Sequence, residues 1–560
     1  MVNNKSIQPI ANELPSHFAD RLGIYYASLV NQEHKKEKGQ FFTPREIASL
    51  MGSFAKSSDA SLRILDPGCG TAILTCALIE HLVSNKNLQS IELVVYETDN
   101  DLIPLSQKSL DYIKVWLLSK TIDFNYSINT KDFVLENANC LSENINLFSE
   151  KTEPFDIIIS NPPYFKLPID DKRAIATKTV VNGHPNIYAI FMAVSARLLK
   201  ENGEIIFITP RSYASGSYFK LFREYFFKII EIDNVHLFVS RKDTFNRDKV
   251  LQETVIIKGK RKEKNNPNHN VIVSSSQGLK DILTPETKTF NQKVLIDLSS
   301  NEKILYLPTN DFEESILNIF KNWNGNLNKY NIQISTGPVV GFRSKEHIQN
   351  NYENGTVFLA PLFWLHNVKQ MILEWPLPKP EKGQYVRIEN ESKSILIPNK
   401  KYILLRRFSS KDDKSRLIAA PYFCNFIKSE YIGVENKVNY IYRPKGHLDR
   451  NEIVGLCALL NSTLFDSFFR IFNGNVNVSA TELREIPLPE LETIKEIGNN
   501  IILSNDFSVE NTNTVKILMP ASQHHSANSF IFLYPARCPS NELNLCFSAH
   551  LRLPSTIIPR

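Results

Sequence analysis

The stretch LRILDPGCGTA, residues 62–72, decides the fold of the amino-terminal half of the chain. Its first four residues carry mostly apolar side chains and predict a β-strand, and its two glycines precede a segment of helical periodicity at 72–83. Glycines in such a turn let the backbone come close to a ligand. The stretch therefore predicts a strand–turn–helix unit with a ligand site at the carboxyl end of the strand.

Strand-like and helix-like segments alternate beyond this stretch. Further strands are predicted at residues 91–99, 154–164, 204–210, 229–238 and 253–259, and further helices at 104–118 and 186–203. Such alternation is typical of an α/β fold in which helices cover both faces of a mostly parallel sheet. We therefore expect a Rossmann-like α/β domain, followed by a second domain of mixed α+β content.

The composition restricts the class of protein. The chain has 560 residues, 42% of them hydrophobic, and this length predicts two or three domains. A formal net charge of +6 is compatible with a nucleic-acid partner. No apolar run reaches the length of about 18 residues needed to span a bilayer, and the seven cysteines form no CxxC pair. We therefore expect a cytoplasmic protein without a membrane segment or a metal site.

The segment pattern predicts five regions. They are a helical segment at 1–38, an α/β domain at 39–260, a linker at 261–310, a second domain at 311–490 and a carboxyl-terminal extension at 491–560. The linker prediction rests on the charged run KRKEKNNPNHN at 260–270. Residues 519–560 contain a single acidic residue, Glu542, and no lysine. We therefore expect a poorly ordered extension or the product of a reading-frame change there.

Gly68 and Gly70 form only part of a dinucleotide-binding signature. A dinucleotide site would have a third glycine and an acidic residue about 20 residues further on. Here the third glycine is absent, and the next acidic residue at a strand end is Glu97. A carboxylate there can accept from two ribose hydroxyls, and the helix start after Gly70 can hold a carboxylate. The two glycines alone favour a packing turn, but with Glu97 in register they favour S-adenosylmethionine.

The segment KDF, residues 131–133, follows the third predicted strand. Asp132 can accept from an adenine amino group, and Phe133 can lie against the adenine ring. Taken alone, the two residues are more typical of an Asx turn and a core phenylalanine.

The stretch DIIISNPPYFK, residues 156–166, carries the strongest chemical signal. The exocyclic amine of adenine is a poor nucleophile because its lone pair is delocalised into the ring, so a catalyst must hold the amino hydrogens with acceptors. The Asn161 side-chain oxygen and the Pro162 carbonyl supply two acceptors. Pro162 and Pro163 fix the direction of that carbonyl, and Tyr164 offers a flat face for the base. A plain turn is the alternative, since asparagine and proline are turn residues.

These motifs, in this order, resemble those of the gamma-class DNA N6-adenine methyltransferases of type II restriction-modification systems. The matching segments are KGQFFTPREIASLM at 38–51, ILDPGCGTA at 64–72, VVYETD at 94–99, KDF at 131–133, SNPPY at 160–164, and two later stretches at 199–225 and 243–257. The resemblance is good from about residue 36 to 258 and looser beyond. It implies a methyltransferase sheet at 39–260 and a target-recognition domain after it.

The resemblance implies a role for each matching residue. The implied cofactor contacts are Thr43 with the methionine end, Asp66 and Gly68 with the head group, Glu97 with the ribose, and Asp132 and Phe133 with the adenine. Asn161, Pro162 and Tyr164 would hold the target base, and Phe245, with Phe238 as a competitor, would lie on its other face. Double-stranded DNA is the implied partner, with the adenine swung out of the duplex. The resemblance also implies functional pairing with a restriction endonuclease and a monomeric enzyme in a bacterial cytoplasm.

Segments at 331–348 and 473–489 resemble those that frame a target-recognition domain. Arginine can read guanine with two hydrogen bonds and lysine can neutralise phosphates, so basic residues between them are candidate DNA contacts. They are Arg406, Arg407, Lys411, Lys414, Arg416, Arg443, Lys445 and His447, and a solvated surface charge is an equal alternative for each. Residues 473–479 fit either a loop near the catalytic cleft or an ordinary turn. The overall likeness suggests a six-base palindrome such as CTGCAG as the target.

Other functions share parts of this pattern. Protein-glutamine and RNA amine methyltransferases use the same NPPY chemistry, but most lack a large domain after the catalytic one. A modification subunit that needs a separate specificity partner would carry a long helical region before residue 38. A fused endonuclease–methylase would need a nuclease cluster, and a non-catalytic DNA-binding protein would not need residues 161–164. The favoured prediction is therefore a self-sufficient DNA methyltransferase.

Overall fold

The structure is a computed structural model. It describes residues 7–30, 39, 42–141, 153–238, 253–262, 266, 268–350, 358–377, 382–409, 413–473 and 477–508. The α-helices are α1 (Pro15–Leu29), α2 (Arg45–Ser53), α3 (Ile73–Leu82), α4 (Ile103–Leu118), α5 (Phe133–Asn137), α6 (Lys172–Ala176), α7 (Ile187–Leu198), α8 (Lys220–Ile229), α9 (Gln292–Leu295), α10 (Asp311–Lys321), α11 (Arg450–Asn461), α12 (Thr463–Phe472), α13 (Ala480–Arg484) and α14 (Leu491–Ser504).

The strands fall into two groups along the chain. Those of the first group are β1 (Ser61–Asp66), β2 (Ser90–Tyr96), β3 (Asp123–Asn129), β4 (Phe155–Ser160), β5 (Leu199–Pro210), β6 (Ile230–Phe238), β7 (Thr254–Arg261), β8 (Asn270–Ser276) and β9 (Glu286–Asn291). Those of the second are β10 (Gln333–Thr336), β11 (Ile348–Gln349), β12 (Leu359–Phe363), β13 (Val368–Lys369), β14 (Ile372–Leu373), β15 (Tyr385–Arg387), β16 (Leu396–Pro398), β17 (Tyr402–Arg406), β18 (Ala419–Tyr422), β19 (Tyr431–Val434) and β20 (Val438–Tyr442).

The first group forms one sheet in the order β3-β2-β1-β4-β5-β7-β6-β8-β9. β1 to β5 run parallel, and β7 lies antiparallel between β5 and β6. Ile158 of β4 packs in a core with α7 and α8, whereas Ile157 and Ile159 point to a second core with α2, α3 and α4. A strand buried on both faces needs such a continuous apolar run. The predicted Rossmann-like α/β fold is therefore confirmed.

The strand order places the candidate site. The chain moves from β1 outward to β3 and then returns to β4 on the other side of β1, so the connections diverge between β1 and β4. Ligands bind outside the carboxyl ends of the strands at such a switch point. Gly68, Glu97, Asp132 and Asn161 follow the carboxyl ends of β1, β2, β3 and β4, respectively. The fold thus brings four predicted site residues to one edge of the sheet.

The prediction of a linker at 261–310 is wrong. Residues in this range form β8, β9 and α9, and β8 pairs in parallel with β6 and antiparallel with β9. Val271, Val273 and Phe290 bury their side chains in the core that also contains α7 and α8. The charged run at 260–270 favoured a linker because it precedes, and obscures, the apolar alternation that begins at Val271.

The second part of the chain combines small sheets with helices. One sheet has the order β10-β20-β17-β18, another β11-β15-β12-β19-β16, and β13 pairs with β14. α10, α11, α12 and α14 pack with the first of these sheets in one apolar core. This arrangement has the mixed α+β content expected from the sequence.

The apolar segment at 451–472 forms two helices. α11 and α12 meet at a bend of 57°, and the Ser462 hydroxyl accepts from the backbone N–H of Phe465 at the start of α12. α14 lies beyond the predicted domain boundary at residue 490, yet it packs on α11 where Gly455 and Gly498 face each other. The prediction of an extension from residue 491 is therefore wrong for α14. Residues 509–560 lie outside the described residues.

The amino-terminal helix α1 lies within the predicted helical segment at 1–38, of which residues 1–6 and 31–38 are outside the described ranges. Within the described ranges, no single helix is long and apolar enough to cross a membrane; the bent pair α11 and α12 meets that criterion of length and composition together, and its apolar side chains are mostly buried. The same residues include no group of three His, Cys, Asp or Glu side chains placed to hold a metal ion.

Candidate active site

The glycine turn after β1 is tied to the end of β2 by Glu97. The backbone N–H of Gly70 donates to Glu97 Oε2 (3.0 Å), and that of Asp99 donates to Glu97 Oε1 (2.9 Å). Gly70 has φ +55°, which a residue with a Cβ rarely adopts. Each carboxylate oxygen keeps a further lone pair for another donor. This rigid carboxylate beside a glycine turn fits the predicted contact with the cofactor ribose.

Asp66 lies beneath the same turn. Its side chain is fully buried, Oδ2 accepts from the Thr75 hydroxyl (2.9 Å), and Oδ1 lies 3.5 Å from the Gly68 nitrogen. Burial raises the pKa of Asp66 to about 7. The structure gives Asp66 a contact that supports the turn, and its predicted contact with the cofactor head group stays a prediction.

The wall of the cofactor side is aromatic. Phe133 is 2% exposed and lies between the rings of Tyr96 (5.2 Å between centroids) and Phe191 (5.1 Å). A Cβ on Gly68 would lie 3.7 Å from the Phe191 ring, so this ring connects Phe133 to the glycine turn. Phe191 was missed from the sequence because its helix has the uniform apolar character of a core helix. Neighbouring rings cover Phe133 in this structure, and its predicted contact with the cofactor adenine stays a prediction.

Asp132 caps helix α5. Its carboxylate accepts from the backbone N–H of Leu135 (3.0 Å), and its Oδ2 lies 3.6 Å from an Arg173 guanidinium nitrogen. The structure thus shows the Asx-type cap that was the alternative interpretation. The predicted contact between Asp132 and a cofactor adenine amino group remains a prediction.

Asn161 is the first residue after β4 and lies next to Thr43. Its Nδ2 donates to Thr43 Oγ1 (2.9 Å) across 118 residues of sequence. Its Oδ1 accepts from the Tyr164 hydroxyl (2.6 Å). Thr43 is 4% exposed, whereas Asn161 is partly exposed at the edge of the sheet. The predicted cofactor side and the predicted target side therefore meet at this hydrogen bond.

The Tyr164 ring lies inside the protein. It is 9% exposed, its hydroxyl is also 3.1 Å from the Ile208 carbonyl oxygen, and its ring contacts the edge of Tyr188 (6.2 Å). Burial raises the pKa of the Tyr164 phenol well above its usual value. In this position the ring presents little surface to a target base. Its predicted stacking role stays a prediction and requires the ring to move.

The loop around Tyr164 is held by a residue that the sequence analysis missed, Gly39. The Gly39 carbonyl accepts from the Tyr164 backbone N–H (3.2 Å), and a Cβ on Gly39 would lie 2.7 Å from the Phe165 ring. Its φ of +60° also favours glycine. The sequence offered one indication of this contact, namely a glycine within the motif at 38–51. Pro162 is buried in this loop and Pro163 is partly exposed.

Two predicted contacts lie outside the described residues: Phe245, on the far face of the base, and Lys411, on DNA. Phe238, the competitor of Phe245, is 3% exposed and packs in the core against His236 (4.7 Å between ring centroids). This position makes Phe238 a core residue.

The candidate DNA-contacting residues divide into engaged and exposed side chains. Arg406 Nε donates to the Val368 carbonyl (2.7 Å), and Arg407 donates to the Asn436 carbonyl (3.1 Å). Arg443 makes two hydrogen bonds to the Glu452 carboxylate (2.8 and 3.1 Å), which neutralises its charge. Lys414, Lys445 and His447 are exposed.

Arg416 corrects one prediction. Its side chain is fully buried and donates to Ser409 Oγ (3.1 Å) and Asn473 Oδ1 (3.0 Å). A buried guanidinium held in this way cannot reach DNA without local unfolding, so the prediction that Arg416 contacts DNA is wrong.

Asn473, at the start of the segment whose position the sequence left open, belongs to a contact between the two parts of the chain. Its Nδ2 donates to Glu482 Oε2 (2.7 Å), and Ser215, five residues beyond β5, donates to Glu482 Oε1 (3.3 Å). Residues 474–476 lie outside the described ranges. The start of the 473–479 segment therefore lies close to the residues that follow β5 at the carboxyl edge of the large sheet.

The use of this sheet edge defines a class of protein. A glycine turn after β1, a buried carboxylate after β2 and an amide after β4 lie together at the switch point of this Rossmann-like sheet, and the chain is an S-adenosylmethionine-dependent methyltransferase. The model of the Eco57I restriction-modification methylase family matches residues 82–245.

Relatives of known activity refine the class. The chain is 32% identical over 487 residues to the type II methyltransferase M.BsuBI of Bacillus subtilis, covering 87% of this chain and 93% of that protein. It is 29% identical over 478 residues to the type II methyltransferase M.PstI of Providencia stuartii, covering 85% and 91%. The chain therefore belongs to the type II methyltransferase family, and it is a DNA methyltransferase of the restriction-modification kind.

The chain also has a relative outside this family. It is 29% identical over 172 residues to the tRNA1(Val) (adenine(37)-N6)-methyltransferase of Haemophilus influenzae, covering 30% of this chain and 60% of that protein.

Proposed function

We propose that this protein transfers a methyl group from S-adenosylmethionine to the N6 amino group of an adenine in a short sequence of double-stranded DNA. The observation that carries the proposal is the position of Asn161. It follows β4 directly at the switch point of the sheet and shares a hydrogen bond with Thr43, a predicted cofactor contact.

The residues after β4 supply what N6 methylation needs. When bound, S-adenosylmethionine supplies an electrophilic methyl group. The Asn161 Oδ1 and Pro162 carbonyl oxygens accept hydrogen bonds from the adenine amino group and raise the electron density on its nitrogen. Pro162 and Pro163 hold that carbonyl in a fixed direction because their φ angles are locked. The proton can leave after transfer, so no general base of shifted pKa is required.

The name of one relative also supports adenine as the target base. A relative that matches 30% of this chain is named as a tRNA adenine-N6 methyltransferase. A paired adenine engages its amino group in the duplex, so the base has to be flipped out to reach Asn161, at a cost of a few kcal/mol. Stacking on aromatic side chains such as Tyr164 and Phe245 would offset that cost.

The second part of the chain would read the target sequence. Its exposed basic side chains, among them Lys414 and Lys445, suit phosphate contacts, and Arg406 and Arg407 keep further guanidinium donors for base edges. The physiological role would be protection of bacterial host DNA from a partner endonuclease that cuts the same sequence. The enzyme would act as a monomer in the cytoplasm.

Single-molecule sequencing of DNA from a methylase-free bacterial host tests the proposal. The host expresses either this chain or its Asn161→Ala variant. We expect N6-methyladenine at one fixed motif with the chain and none with the variant. Unmodified DNA from both hosts would overturn the proposal, and methylation of another base would overturn its adenine specificity.

A further inference from the structure

Thr43, Asn161 and Tyr164 form a short chain of hydrogen bonds at the boundary between the cofactor side and the target side. Thr43 Oγ1 is 2.9 Å from Asn161 Nδ2, and the Tyr164 hydroxyl is 2.6 Å from Asn161 Oδ1. The Tyr164 hydroxyl is also 3.1 Å from the Ile208 carbonyl oxygen. A phenol has one proton, so it donates to one of these two oxygens at a time.

This chain of groups has two self-consistent arrangements. In the first, Tyr164 donates to Asn161 Oδ1, and Asn161 Nδ2 donates to Thr43, whose own proton is left for another acceptor. In the second, the amide is turned over, so Thr43 donates to Oδ1 and the amide donates to Tyr164, whose proton goes to the Ile208 carbonyl. Each arrangement is compatible with these three contacts because a hydroxyl has one proton and two lone pairs. The two differ in which end of the amide faces Tyr164 and, with it, in the acceptors of the Thr43 and Tyr164 protons.

Only the first arrangement suits the proposed reaction. It turns Oδ1, an acceptor, toward Tyr164, the residue predicted to lie against the target base, where an acceptor suits the adenine amine. The second arrangement would place an amide N–H against an amine N–H, donor against donor. An unmade hydrogen bond of this kind is unfavourable when it is buried.

We propose that the Thr43 hydroxyl is the positioning group that selects the productive orientation of the Asn161 amide. A hydroxyl whose proton is taken by the methionine end of the cofactor can only accept from Asn161, and this fixes Oδ1 toward the target. Cofactor binding then prepares the amide for the adenine. This inference rests on the proposed function, and it adds to Thr43 a role toward Asn161 that a cofactor contact alone does not require.

Two variants of the full-length chain test this role. Thr43→Val keeps the shape of the side chain and removes the hydroxyl, whereas Thr43→Ser keeps the hydroxyl and removes a methyl group. The first measurement is the single-turnover rate of methyl transfer at saturating S-adenosylmethionine. The second is the Kd of the cognate duplex with and without the cofactor analogue sinefungin, which reports coupling without any turnover.

We expect wild-type chain to bind the duplex at least about fivefold more tightly with sinefungin present. Thr43→Val should lose this gain and should methylate about tenfold more slowly or worse at saturating cofactor. Thr43→Ser should keep both within about twofold. If Thr43→Val shows no cooperative thermal unfolding, Thr43→Ala takes its place in both measurements.

Three results would overturn the inference. They are an undiminished rate for Thr43→Val at saturating cofactor, an equal loss in Thr43→Ser, and wild-type DNA binding that ignores sinefungin. The proposed function fails separately, because it requires only that wild-type chain produce N6-methyladenine. A merely steric role for Thr43 would lower the melting temperature of both variants and leave the coupling to sinefungin in place.

Discussion

The Tyr164 hydroxyl makes its hydrogen bonds inside the protein, and breaking them would make the binding of a target base less favourable. The phenol hydroxyl is hydrogen-bonded to Asn161 Oδ1 and lies near the Ile208 carbonyl oxygen, and the ring makes an edge contact with Tyr188. A base that stacks on Tyr164 must first draw the ring out of this pocket. Losing one such hydrogen bond costs about 1 kcal/mol. The same movement frees a lone pair of Oδ1 for the incoming amine, so release and capture are linked at one atom.

Asn161→Ala should separate cofactor binding from catalysis. The side chain is an acceptor for the target amine, so we expect kcat to fall at least about 100-fold. The Kd for S-adenosylmethionine, measured by calorimetry, should stay within about threefold. Asn87→Ala, at an exposed position outside the site, is the matched control and should leave both values unchanged. Normal turnover in Asn161→Ala would refute the catalytic assignment.

Glu97→Ala should weaken cofactor binding by more than the loss of a ribose contact alone would. Glu97 also accepts from the backbone N–H groups of Gly70 and Asp99, so its loss loosens the glycine turn. We expect the cofactor Kd to rise about 100-fold, and less in Glu97→Gln, which keeps one acceptor oxygen. Glu92→Gln, exposed on β2, the strand that precedes Glu97, serves as control. An unchanged Kd in Glu97→Ala would reject the ribose role.

At the scale of helices and strands, close approach of backbones explains several glycines. α11 and α14 cross where Gly455 faces Ile494 and Gly498, and a Cβ on Gly455 would collide with the Ile494 carbonyl oxygen. Backbone atoms in two packed helices cannot move aside as a flexible side chain can. The crossing therefore holds α14 to the second part of the chain.

Gly455→Ala should destabilise the protein through this crossing. We expect a loss of about 2 kcal/mol or more in the free energy of unfolding, seen as a lower midpoint in urea. Asn499→Ala, on the exposed side of α14, should leave the midpoint unchanged. A Gly455→Ala midpoint equal to that of wild type would show that α14 does not pack on α11 in solution.

The sequence predicted those elements whose signal is local. β1 and β4 combine an apolar run with turn residues, so these strands and the turns that end them were predicted correctly. β8 and β9 were missed because a charged run precedes them, and the two- to five-residue strands of the second part are too short to show a period. The contacts of Thr43 and Gly39 with the 161–165 loop could not be predicted, because they depend on how distant segments pack. The burial of Arg416 depends on packing in the same way.

At the scale of the whole molecule, a buried polar contact joins the two parts of the chain. Arg211, just after β5, donates to the carbonyl oxygens of Arg470 and Ile471 at the end of α12, and its guanidinium lies 3.5 Å from the buried Glu253 carboxylate. The hydrogen bonds of Glu482 with Ser215 and Asn473 lie in the same region. Polar contacts that are dry and specific in direction fix an orientation better than apolar packing does. The catalytic edge and the predicted reading domain are thus held in one arrangement.

Glu482 should make the stability of this contact depend on pH. Burial raises its pKa to about 7, although Asn473, Ser215 and Arg416 act in the opposite direction. The folded protein therefore binds the Glu482 proton more tightly than the unfolded chain does. The resulting stabilisation is complete below the unfolded pKa, near 4.5, and is lost as the pH rises through about 7.

Glu482→Gln should remove this dependence and leave that of Asp66, whose pKa is also raised to about 7. We expect the free energy of unfolding to fall between pH 5 and pH 8 by up to about 3 kcal/mol less in the variant than in wild type. Urea unfolding at four pH values in this range measures the difference. Parallel curves for the two proteins would show that Glu482 does not titrate in this way.

The contact between the amino-terminal segment, at Thr43, and the loop after β4, at Asn161, also sets an order of assembly during protein synthesis. Thr43 meets Asn161 across 118 residues of chain, so a growing polypeptide lacks this contact until β4 has been made. The three strands β1 to β3 and the contact between Gly70 and Glu97 require only residues up to Asn129. The cofactor side is therefore available for folding before the target side. A translation product that stops between β3 and β4 would carry most of the predicted contacts for the methyl donor and lack the residues proposed to mark a genome.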